Sequence, residues 1–531
     1  MKIKNLIVFG ASCVLALACQ HKQVQQESTL WHTYWRAQNE EHLTSDLVDY
    51  SYAGFDFGES DIPVKYWLSE FDVLDFGAKP DDNISDFESI QQAIDAAEEA
   101  GGGVVTFPKG RFLVSESRAI QRSLEITSSN IILKGDQSGG TEFYMKDHMT
   151  PRDTTKTWTT PAKVVFKGEH IETELVARLA ANIQKGDDKM IFDQVPDLAS
   201  GDVLLLKAKG TFLNAQLLEG LKTRDVWEEI NVNGARVNEY HEVKSVDGKV
   251  VTLRAPVLVD VDISQSWRIV KYHMISNCGF EQINFTANFL EPFEHLKNAR
   301  HDAGYKALQM IRCRNSWVKN CTFRNVSAAV VFRSNLSSTV LKCQTVGNSG
   351  HESFSFISST RCMMSYCQDN SLQWHGPNTS HASVGTVIFK FKGKNSGINL
   401  HGKSPRVTLF DQCEIGGFTG DRVGKPSHGA HYTNLPNHLD GLVIWNYHQT
   451  GLPVSNFNFW DLLENTPEEL YGPLTAVNPT VVGFHGVPTS FDASSLGYIE
   501  SLGTPIAPAS LYVQQLKLRG FDIPDFLKEP L

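Results

Sequence analysis

Acidic side chains are nearly missing from the centre of this chain. Between Ala303 and Phe410 only Glu352 and Asp369 carry carboxylates, against thirteen Lys and Arg. The stretch is therefore +11, within a protein of net charge −11 whose remainder is about −22. That shortage weakens two kinds of chemistry: hydrolysis of glycosidic bonds by paired carboxyls, and calcium sites that gather carboxylates on one face. Seven cysteines follow residue 19, an odd number, with no C-x-x-C and no zinc-type spacing, so neither a zinc module nor a disulfide framework is indicated. No apolar run is long enough to span a bilayer. A hydrophobic content of 41% and a charged content of 21% exclude disorder as the class. Because the basic charge is confined to one region of an acidic protein, no nucleic-acid partner is expected.

The chain begins with Lys2 and Lys4, an apolar core from Leu6 to Leu17, and an A-x-A cleavage site at Ala16-Leu17-Ala18. Cys19 follows, as in bacterial lipoproteins, which implies a lipid on that thiol. Residues 1–18 read as a signal peptide and 19–70 as a lipid-anchor tether with an N-terminal extension. The expected location is the outer membrane, on either its periplasmic or its surface side. Export also permits disulfides.

From Phe71 the pattern becomes regular. Asp75-Phe76-Gly77-Ala78 is followed by Asp81-Asp82, and Ser85 with Glu88 forms a capping-box pair. Phe87, Ile90, Ile94 and Ala97 make one apolar helical face, which stops at Gly101-Gly102-Gly103. Val104 to Phe107 then reads as a strand closed by Pro108, and Ser129 to Gly135 as a further turn and strand. In this order the motifs resemble the opening of the pectate-lyase-like superfamily. That resemblance implies an all-β, right-handed parallel β-helix whose N-terminal helix caps the first coil and hides its edge strands. Residues 71–164 are the start of that helix. Residues 165–270 carry hairpin signals, among them Asp247-Gly248, and read as a small antiparallel β insertion.

Residues 271–460 read as the main coils. The segments starting at Ser316, Ser338, Cys362, Thr386 and Thr408 align at intervals of 22, 24, 24 and 22 residues, one β-helix turn per repeat. Cys321, Cys343, Cys367 and Cys413 share one position of the repeat, with Phe391 replacing a fifth. They read as an inward stack of free thiols. Residues 461–531 read as a C-terminal segment covering the far end.

His351, His375 and His401 are 24 and 26 residues apart, about one coil each, and His428 follows 27 later. Imidazoles on one face, with Lys and Arg nearby, suit β-elimination from a uronic-acid polymer. The C5 proton is hardly acidic until the adjacent carboxylate is neutralised, and a base and an acid must flank the bond. The catalytic candidates are His351, His375, His401, Lys403 and Arg333. Lys390, Lys392, Arg361, Trp374, His428 and Tyr432 are candidates for binding substrate. Bland readings stand beside these: solvated cations, a core Trp374, a phenol that merely sits in a loop. Cationic side chains replace a metal in this scheme, so no cofactor is expected and calcium is disfavoured.

The lipoprotein signal, the β-helix opening and a closing Pro508-Ala509-Ser510-Leu511-Tyr512 together resemble ulvan lyases of marine polysaccharide-utilisation systems. The resemblance implies a polysaccharide lyase whose partner is an anionic, uronate-containing glycan. The alternatives are a polygalacturonase-like hydrolase and a non-catalytic, glycan-binding β-helix. A hydrolase is disfavoured because His401-Gly402 lacks the preceding Gly of the G-H-G element and no central Asp pair occurs.

Overall fold

The computed structural model describes residues 26–40, 42–115, 121–393, 397–416, 431–461 and 474–528, and of Tyr432 the backbone only. Three long parallel sheets run side by side. The first has twelve strands, from Glu70–Asp72 to Tyr498–Glu500; the second has ten, from Gly110–Leu113 to His485–Gly486; the third has seven, from Leu124–Ile126 to Asn399–Leu400. Each coil contributes one strand to a sheet, which is the parallel β-helix expected from the repeat. The register pairs Val318, Val340, Met364, Ile388 and Phe410 across five neighbouring strands, at the intervals legible in the sequence. All five are buried in the central core, with Phe323 from the second sheet and Phe354 and Phe356 from the third. Each such side chain contributes about 1.5–3 kcal/mol by leaving water.

All seven cysteines after residue 19 are free and buried. Gln344, Gln368, Lys392 and Glu414 donate backbone N–H groups to the carbonyls of Cys321, Cys343, Cys367 and Phe391, so the thiol ladder follows the coil ladder.

The helix Phe87–Glu99 lies on the first coil through Phe87, Ile90, Ala93, Ile94 and Ala97. Gly103 permits this fit: a Cβ there would stand 2.5 Å from the Phe71 ring and 2.8 Å from Ala97. The capping box is not formed. Asp86 is the N-cap residue and makes no side-chain cap bond; its carboxylate accepts from the Lys79 and Leu113 N–H groups. Glu88 pairs instead with Arg122.

Between the third-sheet strand Val164–Lys167 and the coil resuming at Ile275, six antiparallel strands spanning Glu172 to Tyr272 form a separate sheet with its own core. It docks on the corner between the third and first sheets through buried polar contacts. Arg406 Nη2 lies 2.6 Å from Glu239 Oε2 and Arg406 Nη1 donates to the Leu258 carbonyl. The Tyr240 N–H donates to Thr360 Oγ1.

Residues 26–70 pack on the outer face of the first sheet, where Phe55 meets Trp317 edge-on and Tyr66 stacks on it. The last segment differs from the expected end cover. It first supplies further strands, Thr480–Val482, His485–Gly486 and Tyr498–Glu500. It then turns back as the helix Leu511–Leu518, which lies on the same outer face. Asp411 Oδ2 accepts from Ser510 Oγ and the Tyr512 N–H there, and Gln515 Oε1 accepts from the Tyr50 N–H.

Candidate functional site

The outer face of the third sheet gathers polar side chains by register. Gln309, Val331, Ser355, Asn378 and Asn399 stand in one column, and Ile311, Arg333, Ile357 and Ser380 in the next, which His401 continues just past the last strand. Towards the strand starts, Lys306, Ala328, Glu352 and His375 follow one another. At the strand ends the chain turns through left-handed residues, Ser334, Ser358, His381 and Lys403, with φ between 49° and 60°.

The structure brings His351, His375 and His401 together. Ring centroids of His351 and His375 are 4.7 Å apart and those of His375 and His401 5.2 Å. A fourth imidazole joins them. His295, from the stretch leading to Arg300–Gly304, lies 5.3 Å from His351, 5.7 Å from His375 and 4.6 Å from Trp374, on which it stacks. Trp374 is thus the wall behind His295, in contact with Phe293 as well. One ligand-capable atom from each of His295, His351 and His375 lies within 4.8 Å of the other two, a spacing that suits a metal ion.

The buried surroundings fix tautomers. His351 Nδ1–H donates to the Asp302 carbonyl at 3.0 Å, which leaves the lone pair on Nε2. His375 Nδ1 meets the side-chain amide of Asn399, whose Oδ1 is otherwise buried without a partner. As placed, Asn399 Nδ2 faces His375 Nδ1 and donates to it; turned by 180°, the amide instead accepts from His375 Nδ1–H through Oδ1. Asn378 Nδ2 donates to Glu352 Oε1 at 3.1 Å and to Ser355 Oγ at 2.7 Å.

Burial and neighbouring positive charge tune the titrating groups. His351 is lowered to about 3, by desolvation first and by His401 next. His381 is lowered to about 3 by desolvation and by Lys403. Desolvation lowers His401 as well, against the opposing pull of Glu352. Lys306, buried with its ammonium on the Thr160 carbonyl, is lowered to about 8 by desolvation, with Glu352 opposing. Desolvation also lowers Arg333, again opposed by Glu352. Asp302 is raised to about 6 by desolvation. Neutral imidazoles able to accept a proton, beside cations able to hold an anion, make this face competent for acid–base work on an anionic substrate.

Other sequence candidates lie elsewhere. Arg361 is 1% exposed, stacked over Tyr52 and donating to the Pro256 carbonyl, so it secures the insertion and cannot meet substrate. Lys390 and Lys392 belong to the corner between the first and second sheets. There they line a cleft of about 680 Å³ with Lys342, Tyr366 and Gln368. Lys392 pairs with Glu414 at 3.3 Å. Lys403 sits at the edge of the imidazole face, its N–H on the Asn434 carbonyl of the turn Tyr432–Asn434. His428 and Cys19 lie outside the described residues.

Sequence reasoning missed His295, Lys306, Glu352, Asn378 and Asn399. Asn378 and Asn399 carry the coil spacing, and so do Lys306, Glu352 and His375 with Ala328 between. His295, in an irregular stretch, carries no such signal.

Comparison with known proteins agrees with the fold. Residues 71–190 match the family described as rhamnogalacturonase A/epimerase, pectate lyase-like, and residues 372–530 match a domain of unknown function, DUF4955. Alginate lyase 7 of Azotobacter vinelandii is 41% identical over 78 residues, 15% of this chain and 9% of that protein. Mannuronan C5-epimerase AlgE3 of the same organism is 40% identical over 81 residues, 15% of this chain and 4% of that protein. The chain thus spans less than a tenth of the length of these curated relatives. Among solved structures, the tailspike protein gp49 of Pseudomonas phage LKA1 is similar at a TM-score of 0.40 and 13% identity, over 81% of each chain.

Proposed function

We propose that the protein is a polysaccharide lyase that cleaves an anionic, uronate-containing glycan by β-elimination, with ulvan as the first polymer to test. The observation that carries this reading is the row His351, His375 and His401, flanked by Arg333, Lys403 and Lys306 on one face of the third sheet, with burial lowering His351 and His401. In the proposed step the uronate carboxylate is held by the cations. His401 takes the C5 proton. The C5–H electrons form the C4–C5 double bond, the C4–O bond breaks, and the departing oxygen takes a proton from a neighbouring donor. Local similarity to a protein named as an alginate lyase supports a uronate polymer as substrate. Lipidation at Cys19 and an outer-membrane location belong to the same proposal.

The similarity to mannuronan C5-epimerases favours a second reading, in which the same C5 proton is removed and returned on the opposite face. One assay separates the two. The purified protein is incubated with ulvan, polygalacturonate, alginate and chondroitin sulfate in D₂O. The lyase gives products absorbing as C4–C5 unsaturated uronates; an epimerase gives deuterium at C5 with no such absorbance. New reducing ends without unsaturation would mark a hydrolase and overturn the proposal, as would binding without any product.

A further inference from the structure

We propose that His295, His351 and His375 form a binding site for a divalent transition-metal ion of the Zn²⁺ type. Three atoms no more than 4.8 Å apart have a point within about 2.8 Å of all of them. Zinc–imidazole bonds are about 2.0–2.1 Å, so the ligands need to close by less than about 1 Å. His295 can supply that movement: it lies between the exposed residues Glu294 and Leu296, in an irregular stretch outside the sheets. The donor set is all nitrogen, which selects borderline metals such as Zn²⁺ or Co²⁺ over calcium or magnesium.

The surroundings have the form metal-binding imidazoles require. A ligating histidine almost always gives its other ring N–H to a carbonyl or carboxylate, which fixes the tautomer. The Asp302 carbonyl does this for His351, and the Asn399 amide meets the Nδ1 edge of His375 and does the same for it once turned to present Oδ1. The Lys306 ammonium acts against a cation here, and the Glu352 carboxylate, opposite His375 in register, acts for it. Three protein ligands leave a fourth position open, as in catalytic rather than structural zinc sites. If the lyase reading holds, the ion would neutralise the uronate carboxylate, replacing the expectation of a metal-free site; the metal site itself does not depend on that reading.

The test is metal binding, read without any substrate. The full mature chain is stripped with a chelator, dialysed and titrated with Zn²⁺ and with Co²⁺. One zinc per chain by elemental analysis is expected, together with the visible d–d bands of a low-coordinate, nitrogen-ligated Co²⁺. His295→Gln and His375→Asn should each weaken zinc binding at least 100-fold with an unchanged circular dichroism spectrum. His381→Ala, which removes an imidazole from the same face outside the trio, should bind as the parent does. Less than one-tenth of an equivalent of zinc at micromolar free metal in the parent chain would overturn the proposal. So would unchanged affinity in His295→Gln, the variant placed outside the sheets and so least able to disturb folding. Stoichiometric zinc in a protein that makes no unsaturated product would leave the site standing and remove the lyase reading.

Discussion

Asn399 stands 24 residues beyond His375, one coil further along the solenoid, and its side-chain amide meets the Nδ1 edge of that imidazole. The contact decides which nitrogen of His375 carries the proton. Asn399→Ala should therefore cost about 10–100-fold in kcat/KM, the range found for partners that orient a functional imidazole. Asn399→Asp keeps an acceptor in place and should recover part of the loss. The initial rate of unsaturated product measures both, and equal rates in all three proteins would remove the positioning role.

His401 carries the proton transfer in the proposed elimination. His401→Ala should lower kcat by about 10²–10⁴-fold, the usual contribution of a positioned general base, with KM little changed. Lys392→Ala alters a residue at a different corner of the solenoid and should leave kcat as it was.

Lys306 sets an alkaline limit. Desolvation lowers its ammonium to about 8, so its positive charge is present below that pH and lost above it. If this charge helps hold the uronate, KM should rise as pH passes through about 8. In Lys306→Met, KM should be high at every pH and that limb should vanish. The opposing charge is Glu352, and Arg333 lies on the same face, so Glu352→Gln should move the limb to lower pH.

The buried pair of Glu239 and Arg406 joins the insertion to the solenoid. Burial alone would raise Glu239, but His241, whose Nε2 lies 3.1 Å from Oε1, and the Arg406 charge hold it at about 2. A carboxylate depressed in the folded state contributes stability above its unfolded value near 4.5, and loses it as pH falls towards 2. The contribution at neutral pH is about 3 kcal/mol. Unfolding by urea from pH 7 to pH 3 should show that slope, and Glu239→Gln should flatten it. Arg406→Met, which leaves the buried carboxylate without its guanidinium partner, should cost about 3–5 kcal/mol at pH 7.

Cys19 tests the anchor. The parent protein should sediment with outer membranes in cell fractionation, and Cys19→Ser should appear in the soluble fraction. Equal distribution would dismiss lipidation.

The solenoid was legible because its coils repeat. Val318, Val340, Met364, Ile388 and Phe410 recur at the spacing that a parallel ladder imposes, and the same 22- and 24-residue intervals stand in the sequence. The same periodicity placed His351, His375 and His401 on neighbouring coils. What it left hidden has two causes. A recurrent cation can fall at any of several corners, so Lys390 and Arg361 share the coil spacing without sharing the face. His295 comes from an irregular stretch whose path is set by tertiary packing against Trp374 and Phe293, and no local pattern announces that. The capping box is absent for a related reason: Glu88 pairs with Arg122, just before the strand Leu124–Ile126, while the Ser85 hydroxyl accepts from the Phe87 N–H.

Residues 26–70 and the helix Leu511–Leu518 share one side of the molecule, and there the two ends of the chain hold each other. Glu500, on the last strand of the first sheet, accepts hydrogen bonds from Ser28 and Thr29, while Tyr50 bonds to Gln515 and to the carbonyl of Gly441. A solenoid is otherwise a nearly one-dimensional stack that can fray coil by coil from either tip. Here neither tip can peel away without stripping the strap that binds it to the other. The protein should therefore come apart in one cooperative step, behaving as a closed ring of contacts although its backbone is an open spiral.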